Sequence, residues 1–358
     1  MLIACYLFLG GAAGGAFCVA AIAEFRSKYK ALAKWAGFVS APAIIVGLLF
    51  LILDLGRPER AYLVFTNTGS SIMTWGSMLI AAFTVLTVVY VSFWSGLFPW
   101  SSWTKGRRMT AAVGLPFAVG TMIYTGLLIG AAPGRPLWSF SLIPVVFAVG
   151  GLSAGIALST AVPMVMYRLI GRSDQAEAAD TYQTIEQIHR LDKYIVLLEL
   201  ALLGALLIAV NALSFTGGGV VWALVLGPLS WMFWGVLIVV GFVVPLGIYV
   251  YIWRARKSHH DTGLWPALLS AFAILVGGIT LRFLVLAAGW SVPLPFNQSY
   301  FQTSLPLYVP TVNEYAYSAI LFVLLGGIYY FEARLFVEKP PPWVVGILTK
   351  LHISYHRS

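Results

Sequence analysis

The chain has 358 residues, 60% of them hydrophobic and only 10% charged, with a formal net charge of +9. A soluble domain carries about 25% charged residues, so this composition, with a mean hydropathy of +0.88, excludes a soluble enzyme and identifies an all-α polytopic membrane protein. The basic surplus belongs to the loops of such a protein, which removes nucleic acid as a partner and leaves membrane lipid and other subunits. The two cysteines, Cys5 and Cys18, share one apolar run and form no metal-ligand pattern.

Nine runs approach or exceed the roughly 20 residues a bilayer requires. In chain order they are Ile3–Ala23, Trp35–Leu53, Trp75–Phe98, Met109–Ala131, Leu142–Ile170, Tyr194–Leu213, Leu229–Trp253, Leu264–Ala288 and Ala316–Phe336. The first run ends in Ala21-Ile22-Ala23, which imitates a signal-peptide cleavage site. Nothing basic precedes it, however, whereas Arg26, Lys28, Lys30 and Lys34 follow it; this is the charge order of a retained helix with its amino terminus outside. The alternate loops that follow are basic too: Lys105, Arg107 and Arg108; Arg168, Arg172, Arg190 and Lys193; Arg254, Arg256 and Lys257; and finally the tail. The opposite loops hold Arg57, Arg60 and Arg135 and little other positive charge. The expected topology is therefore amino terminus outside and carboxyl terminus in the cytoplasm of a prokaryotic inner membrane.

Two glycine-rich stretches, Leu9–Gly15 and Val149–Gly155, and two later ones, Gly120–Tyr124 and Gly278–Arg282, fall in runs of matching direction. They predict a parallel repeat: a first four-helix bundle over 1–131, a second over 132–289, and a final part, 290–358, holding an outer loop, the ninth helix and the tail. Small residues at these positions allow close backbone approach in lipid.

At the exit of the second run stands Asp54-Leu55-Gly56-Arg57-Pro58-Glu59-Arg60. Gly56 permits unusual backbone angles and Pro58 stops the helix, so Asp54 and Arg57 are expected to pair or to face one polar pocket at the outer surface. Inside the runs, Glu199 and Arg282 are expensive in hydrocarbon and mark an ion or substrate route, Glu199 reading equally as a neutral acid hydrogen-bonded within the bundle; with Asp54 they form a candidate proton path. Tyr124 reads either as an aromatic-belt residue or as a phenolic donor inside a pocket. Trp75 and Trp138, at helix ends, read as belt residues. All five histidines, His189, His259, His260, His352 and His356, fall in loops or the tail. The bundle consequently offers no axial ligand for haem, and nothing in the chain could hold an iron–sulfur cluster.

Several of these residues carry a family resemblance. Tyr6-Leu7-Phe8-Leu9-Gly10-Gly11, Leu53–Pro58, Met73-Thr74-Trp75-Gly76, Tyr124–Leu128, Arg135–Trp138, the run from Gly151, Leu191-Asp192 with Glu199, and Leu281-Arg282 with Ala288-Gly289 together resemble the NrfD/polysulfide-reductase membrane subunit. The resemblance spans nearly the whole chain, and the aspartate–glycine–arginine–proline turn is its most specific part. It implies a cofactor-free anchor that binds menaquinone or ubiquinone as substrate near the outer face. Partners in such assemblies are a ferredoxin-like iron–sulfur subunit and a molybdopterin catalytic subunit that reduces polysulfide, thiosulfate or tetrathionate. The family tyrosine near quinone corresponds to Tyr124 and the turn residues to Asp54 and Arg57; Trp75 and Gly11 complete the expected quinone site. Arg60, Arg135, Asn297 and Gln298 are the expected docking residues for the partner. Related assignments are a quinol-oxidising subunit of an alternative complex III-like or nitrite-reductase-type assembly, and a non-redox transporter.

The chain departs from the family in three places. Relatives carry polar quinone contacts ahead of the first glycine cluster, and no residue here is assigned their role. Ile72 stands where many relatives have proline, and the ninth helix exceeds the eight of the best-known polysulfide reductase subunit.

Overall fold

The computed structural model describes residues 1–26, 29–66, 71–96, 98–131, 135, 137–170, 175–213, 217–257, 265–290 and 309–337. Its helices are α1 (Leu2–Glu24), α2 (Lys30–Asp54), α3 (Ile72–Trp94), α4 (Thr104–Gly130), α5 (Ile143–Ile170), α6 (Gln175–Leu213), the short α7 (Gly217–Val225), α8, α9 (Trp265–Trp290) and α10 (Val312–Val337). α8 begins as a π-helix over Met232–Val243 and continues as an α-helix over Val244–Lys257, and a 3-10 segment, Pro58–Phe65, follows α2. Among the described residues, nine of these helices are long and apolar enough to cross a bilayer. They coincide with the nine predicted runs, and the protein is a multi-pass integral membrane protein. The apolar runs do not foretell α7, a nine-residue helix in the loop between the sixth and seventh of them.

Contacts at the helix ends define two faces. At one, the amino-terminal face, the Met1 amino group lies 3.0 Å from Glu314 Oε1, and Arg135 donates to the carbonyls of Gly289 and Trp290 at 2.8 and 3.3 Å. At the other, the basic face, Arg107 pairs with Glu24 at 2.9 Å and Arg168 lies 4.1 Å above the Trp265 ring. Consecutive spans run between these faces in alternate directions.

α1 is the axis of the molecule. Nearly all of its residues are buried, and it is packed by α2, α4 and α5. The reason is compositional. Gly15 of α1 and Gly151 and Gly155 of α5 lie where the two backbones touch: a β-carbon on Gly15 would overlap the Gly151 carbonyl, and one on Gly155 would overlap the Gly15–Ala16 backbone. In lipid, where no hydrophobic drive separates helix from solvent, such close packing supplies the attraction. The same contact occurs between α8 and α9 at Gly241 and Gly277. α10 leans on α2, where the Tyr329 hydroxyl donates to the Val39 carbonyl at 2.9 Å. Its amino terminus is held by a capping box, in which the Thr311 N–H donates to Glu314 Oε2 at 2.8 Å and the Glu314 N–H to Thr311 Oγ1 at 3.3 Å. That Thr-x-x-Glu signal starts the helix four residues before the predicted apolar run.

Candidate functional site

On the amino-terminal face a cavity of about 310 Å³ opens between α1, the end of α2, α9 and the start of α10. Ile3, Ala4, Phe283, Leu286 and Ala287 supply its apolar surface, Trp290 an indole, and Asp54 and Glu314 two carboxylates. Phe283, Leu286, Ala287 and Trp290 follow helical spacing, so one stripe of α9 forms a wall. The size and the mostly apolar lining with a few acids are those of a small-molecule site.

Asp54 reaches this cavity because α2 ends with it and the chain then turns sharply. Gly56 makes the turn at φ +63°, a left-handed conformation that favours glycine. The same turn carries Arg57 away. Among the described residues Asp54 and Arg57 make no ion pair or hydrogen bond with each other; Arg57 stands just before the 3-10 segment, makes no side-chain capping bond to it and is exposed, as is Arg60. The expected Asp54–Arg57 pair is not formed, since a turn that redirects the backbone also separates side chains only three residues apart.

Tyr124 lies elsewhere. Its ring packs over Gly76 of α3 so tightly that any β-carbon there would overlap it, and its hydroxyl reaches the Met73 carbonyl at 3.5 Å. It is 5% exposed, which removes the belt reading, and it does not line the cavity. The buried Tyr6 hydroxyl has no hydrogen-bond partner; Gly10, one turn along α1, faces the Tyr6 ring and Thr125, the neighbour of Tyr124. Trp75, at 63% exposed, stands on the outside of α3 as a belt residue would. Trp138 does not: it is buried, its Nε1 donates to the Val285 carbonyl at 2.8 Å, and Gly289 leaves room for its indole. Gly11 faces the interior, 3.4 Å by its β-carbon position from Gly151 Cα and 3.7 Å from Arg282 Nη2.

A second polar region lies deeper, inside α5, α6, α8 and α9. Arg282 has no exposed surface; Nη1 donates to Gly278 O and Nη2 to Phe147 O, each at 3.1 Å, while Nε has no partner. Glu199 meets it across Gly150, whose missing side chain makes the space: a β-carbon there would overlap Glu199 Oε1 and lie 3.1 Å from Arg282 Nη1. Two turns along α6, Asp192 accepts from Tyr249 at 2.9 Å and Ser153 at 3.4 Å. In the sequence Glu199 and Arg282 stand near opposite ends of their helices; the fold brings them together. It separates both from Asp54, which stands on the cavity rim. Asp192 and Tyr249 are not evident as site residues from sequence, although an aspartate seven residues before Glu199 shares its helix face.

Arg135 spans the last turn of α9, with its guanidinium carbon 5.2 Å from the Trp290 ring, so its first role is to cap that helix. Asn297 and Gln298 lie outside the described residues. Among the described residues no group of histidine, cysteine and acidic side chains could hold a metal ion.

Comparison with known proteins agrees with this architecture. The C subunit of the polysulfide reductase of Wolinella succinogenes is 30% identical over 314 residues, covering 80% of this chain and 92% of its own. Protein NrfD of Escherichia coli is 28% identical over 320 residues, covering 80% and 93%. The Hdr-like menaquinol oxidoreductase integral membrane subunit of Archaeoglobus fulgidus is 26% identical over 155 residues, covering 42% and 38%. Since residues 1–293 match the family described as polysulphide reductase, NrfD, the chain belongs to that family.

Proposed function

We propose that the protein is the quinone-reactive membrane subunit of a respiratory oxidoreductase, exchanging electrons between membrane menaquinol or ubiquinol and an iron–sulfur subunit that serves a molybdopterin catalytic subunit. The observation that carries this reading is the cavity on the amino-terminal face. Its apolar wall suits a quinone ring and the start of an isoprenoid tail. Its carboxylates suit the reaction, because quinol oxidation releases two electrons and two protons and Asp54 is placed to accept a proton as the electrons leave. Family membership supports the reading, as does the presence of a polysulfide reductase subunit and a menaquinol oxidoreductase subunit among the relatives. The charge pattern of the loops supports an outward amino-terminal face, with the partner docked beside the cavity. The spans run unbroken between the two faces, which argues against the half-helices of a transporter.

Tyr124 is the alternative seat for the head group, favoured by its weakly engaged hydroxyl and the unpartnered Tyr6 hydroxyl behind it. Purification from native membranes in mild detergent, with iron, molybdenum and quinone analysis, tests the function. Co-purifying subunits rich in iron and molybdenum, with extractable quinone, are expected; a protein free of metal and quinone refutes the reading. Quinol turnover of Asp54→Asn and Tyr124→Phe then locates the seat, with the larger rise in KM marking the residue in contact.

A further inference from the structure

The basic-face end of α10 lies outside residues 1–293, the stretch that matches the family, and it carries an acid without a partner. A narrow crevice separates α2, α5 and α10 there, lined by Lys34, Trp35 and Phe38, by Val162, and by Tyr329 and Glu332. The buried stripe Leu321, Leu325, Tyr329 and Ala333 seats α10 on its neighbours, and Glu332, three residues after Tyr329, shares that side of the helix. Glu332 Oε2 is buried and, among the described residues, has no hydrogen-bond partner. Tyr329 cannot serve it, because the single hydroxyl proton goes to the Val39 carbonyl at 2.9 Å. A buried carboxylate oxygen without a donor is costly, and an apolar residue would pack the position better. Such a group calls for a donor from outside the chain. Glu332 stands five residues before the end of α10 at Val337, and Lys34 four residues after the start of α2 at Lys30. Each is therefore about 6–8 Å inside its helix end, a common level near the bilayer boundary. Both are partly exposed, so the crevice reaches the surface of the bundle. Trp35 and Tyr329 are amphipathic rings of the kind found at lipid head groups.

We propose that this crevice binds the head group of phosphatidylethanolamine, whose ammonium donates to Glu332 while its phosphate faces Lys34. The charges decide the ligand. One crevice presents a carboxylate and a lysine ammonium, which together match a zwitterion. A free cation would meet the lysine, and an anionic head group would meet the carboxylate. The ethanolamine ammonium has three N–H donors and needs only one carboxylate. A trimethylated choline has none, so the site distinguishes two lipids of equal charge. The bound lipid would fasten the far end of α10 to α2, beside the Tyr329–Val39 bond.

The site is independent of the cavity on the amino-terminal face and is tested with the full chain, delipidated in detergent. Native mass spectrometry measures binding of phosphatidylethanolamine, phosphatidylcholine and phosphatidylglycerol with identical acyl chains, and a thermal melt reads the stabilisation each confers. Phosphatidylethanolamine is expected to bind wild type at least five-fold more tightly than either other lipid and to raise the midpoint the most. Glu332→Gln is expected to bring phosphatidylethanolamine down to the level of phosphatidylcholine and leave phosphatidylcholine itself unchanged. Lys34→Gln is expected to weaken both, since both carry the phosphate. Without lipid, Glu332→Gln is expected to melt no lower than wild type, because it removes a buried charge that has no partner in the chain. Three results overturn the proposal: a lipid-free Glu332→Gln midpoint well below wild type, which marks Glu332 as an internal structural contact; equal binding of phosphatidylethanolamine by wild type and Glu332→Gln; and wild type that binds phosphatidylethanolamine no better than phosphatidylcholine or phosphatidylglycerol. The last comparison needs no variant and stands even if Glu332→Gln does not fold.

Discussion

Arg107 sits in a buried ionic cluster at the basic face, and removing it is the sharpest test of how this bundle is held. Its Nε is 2.9 Å from Glu24 Oε1, and its guanidinium carbon lies 3.8 Å from the Trp94 ring. The Tyr90 hydroxyl donates to the other carboxylate oxygen at 3.1 Å. Glu24 is only 4% exposed and Arg107 8%, so the pair is desolvated and α1, α3 and α4 converge on it. Replacing Arg107 with methionine leaves a buried carboxylate with one phenol for company. Breaking a buried pair from one side costs about 3–5 kcal/mol, and the lost stacking on Trp94, worth about 2 kcal/mol when desolvated, puts this case toward the upper end. The double variant Glu24→Gln with Arg107→Met is expected to recover most of that loss, because the uncompensated charge is gone while the Tyr90 bond is kept. The assay is a double-mutant cycle of unfolding free energies in mixed micelles of detergent and denaturing surfactant. A cost for Arg107→Met below about 1 kcal/mol, the range of an exposed pair, would refute the argument. So would a double variant whose loss is the sum of the two singles.

Two further perturbations follow from the packing. Gly15→Val drives a branched side chain into the Gly151 backbone, and overpacking of this kind costs about 1–3 kcal/mol where neighbours can shift; backbone cannot shift locally, so a lower yield of folded protein and a depressed thermal midpoint in detergent are expected. Gly326→Val on α10, where nothing lies within 4 Å of the β-carbon position, is the control and leaves the midpoint unchanged. Trp138→Phe keeps an aromatic side chain but removes the indole N–H that donates to the Val285 carbonyl, a net loss of about 0.5–1.5 kcal/mol read as a lower thermal midpoint. A midpoint equal to wild type would return Trp138 to the status of a belt residue.

The nine spans are legible in the sequence because apolar run length is a property of consecutive residues, and the bilayer demands it of each helix separately. Alternating loop charge is legible for the same reason. Where chain neighbours and space neighbours differ, the reading loses its grip. Asp54 and Arg57 are three residues apart and form no ion pair or hydrogen bond with each other; Met1 and Glu314 are 313 residues apart and pair. Glu199 and Arg282 stand out in the sequence, since an ionisable residue within an apolar run is a local anomaly. That they share one site does not, because their meeting depends on which helices the fold makes adjacent and on Gly150 being a glycine. α7 escapes notice because Gly217-Gly218-Gly219 reads as loop and nine residues are too few for a helical period to declare itself.

The glycine clusters show how far a local signal can nevertheless reach. Sequence alone offers Leu9–Gly15 and Val149–Gly155 as a repeat, with close packing as their use. The structure sets these two stretches against each other, Gly11 and Gly15 on Gly151 and Gly155. The residues that the sequence offers as a repeat are therefore ones at which α1 and α5 meet. One consequence falls on function. At Gly11 the α1 backbone itself lies beside Arg282, and α1 also supplies Ile3 and Ala4 to the cavity. A larger residue at position 11 would press on Gly151 and on the guanidinium at once, displacing Arg282 without touching the cavity wall. The tight glycine seam thus sets the distance between the cavity and the buried Arg282 as well as that between α1 and α5.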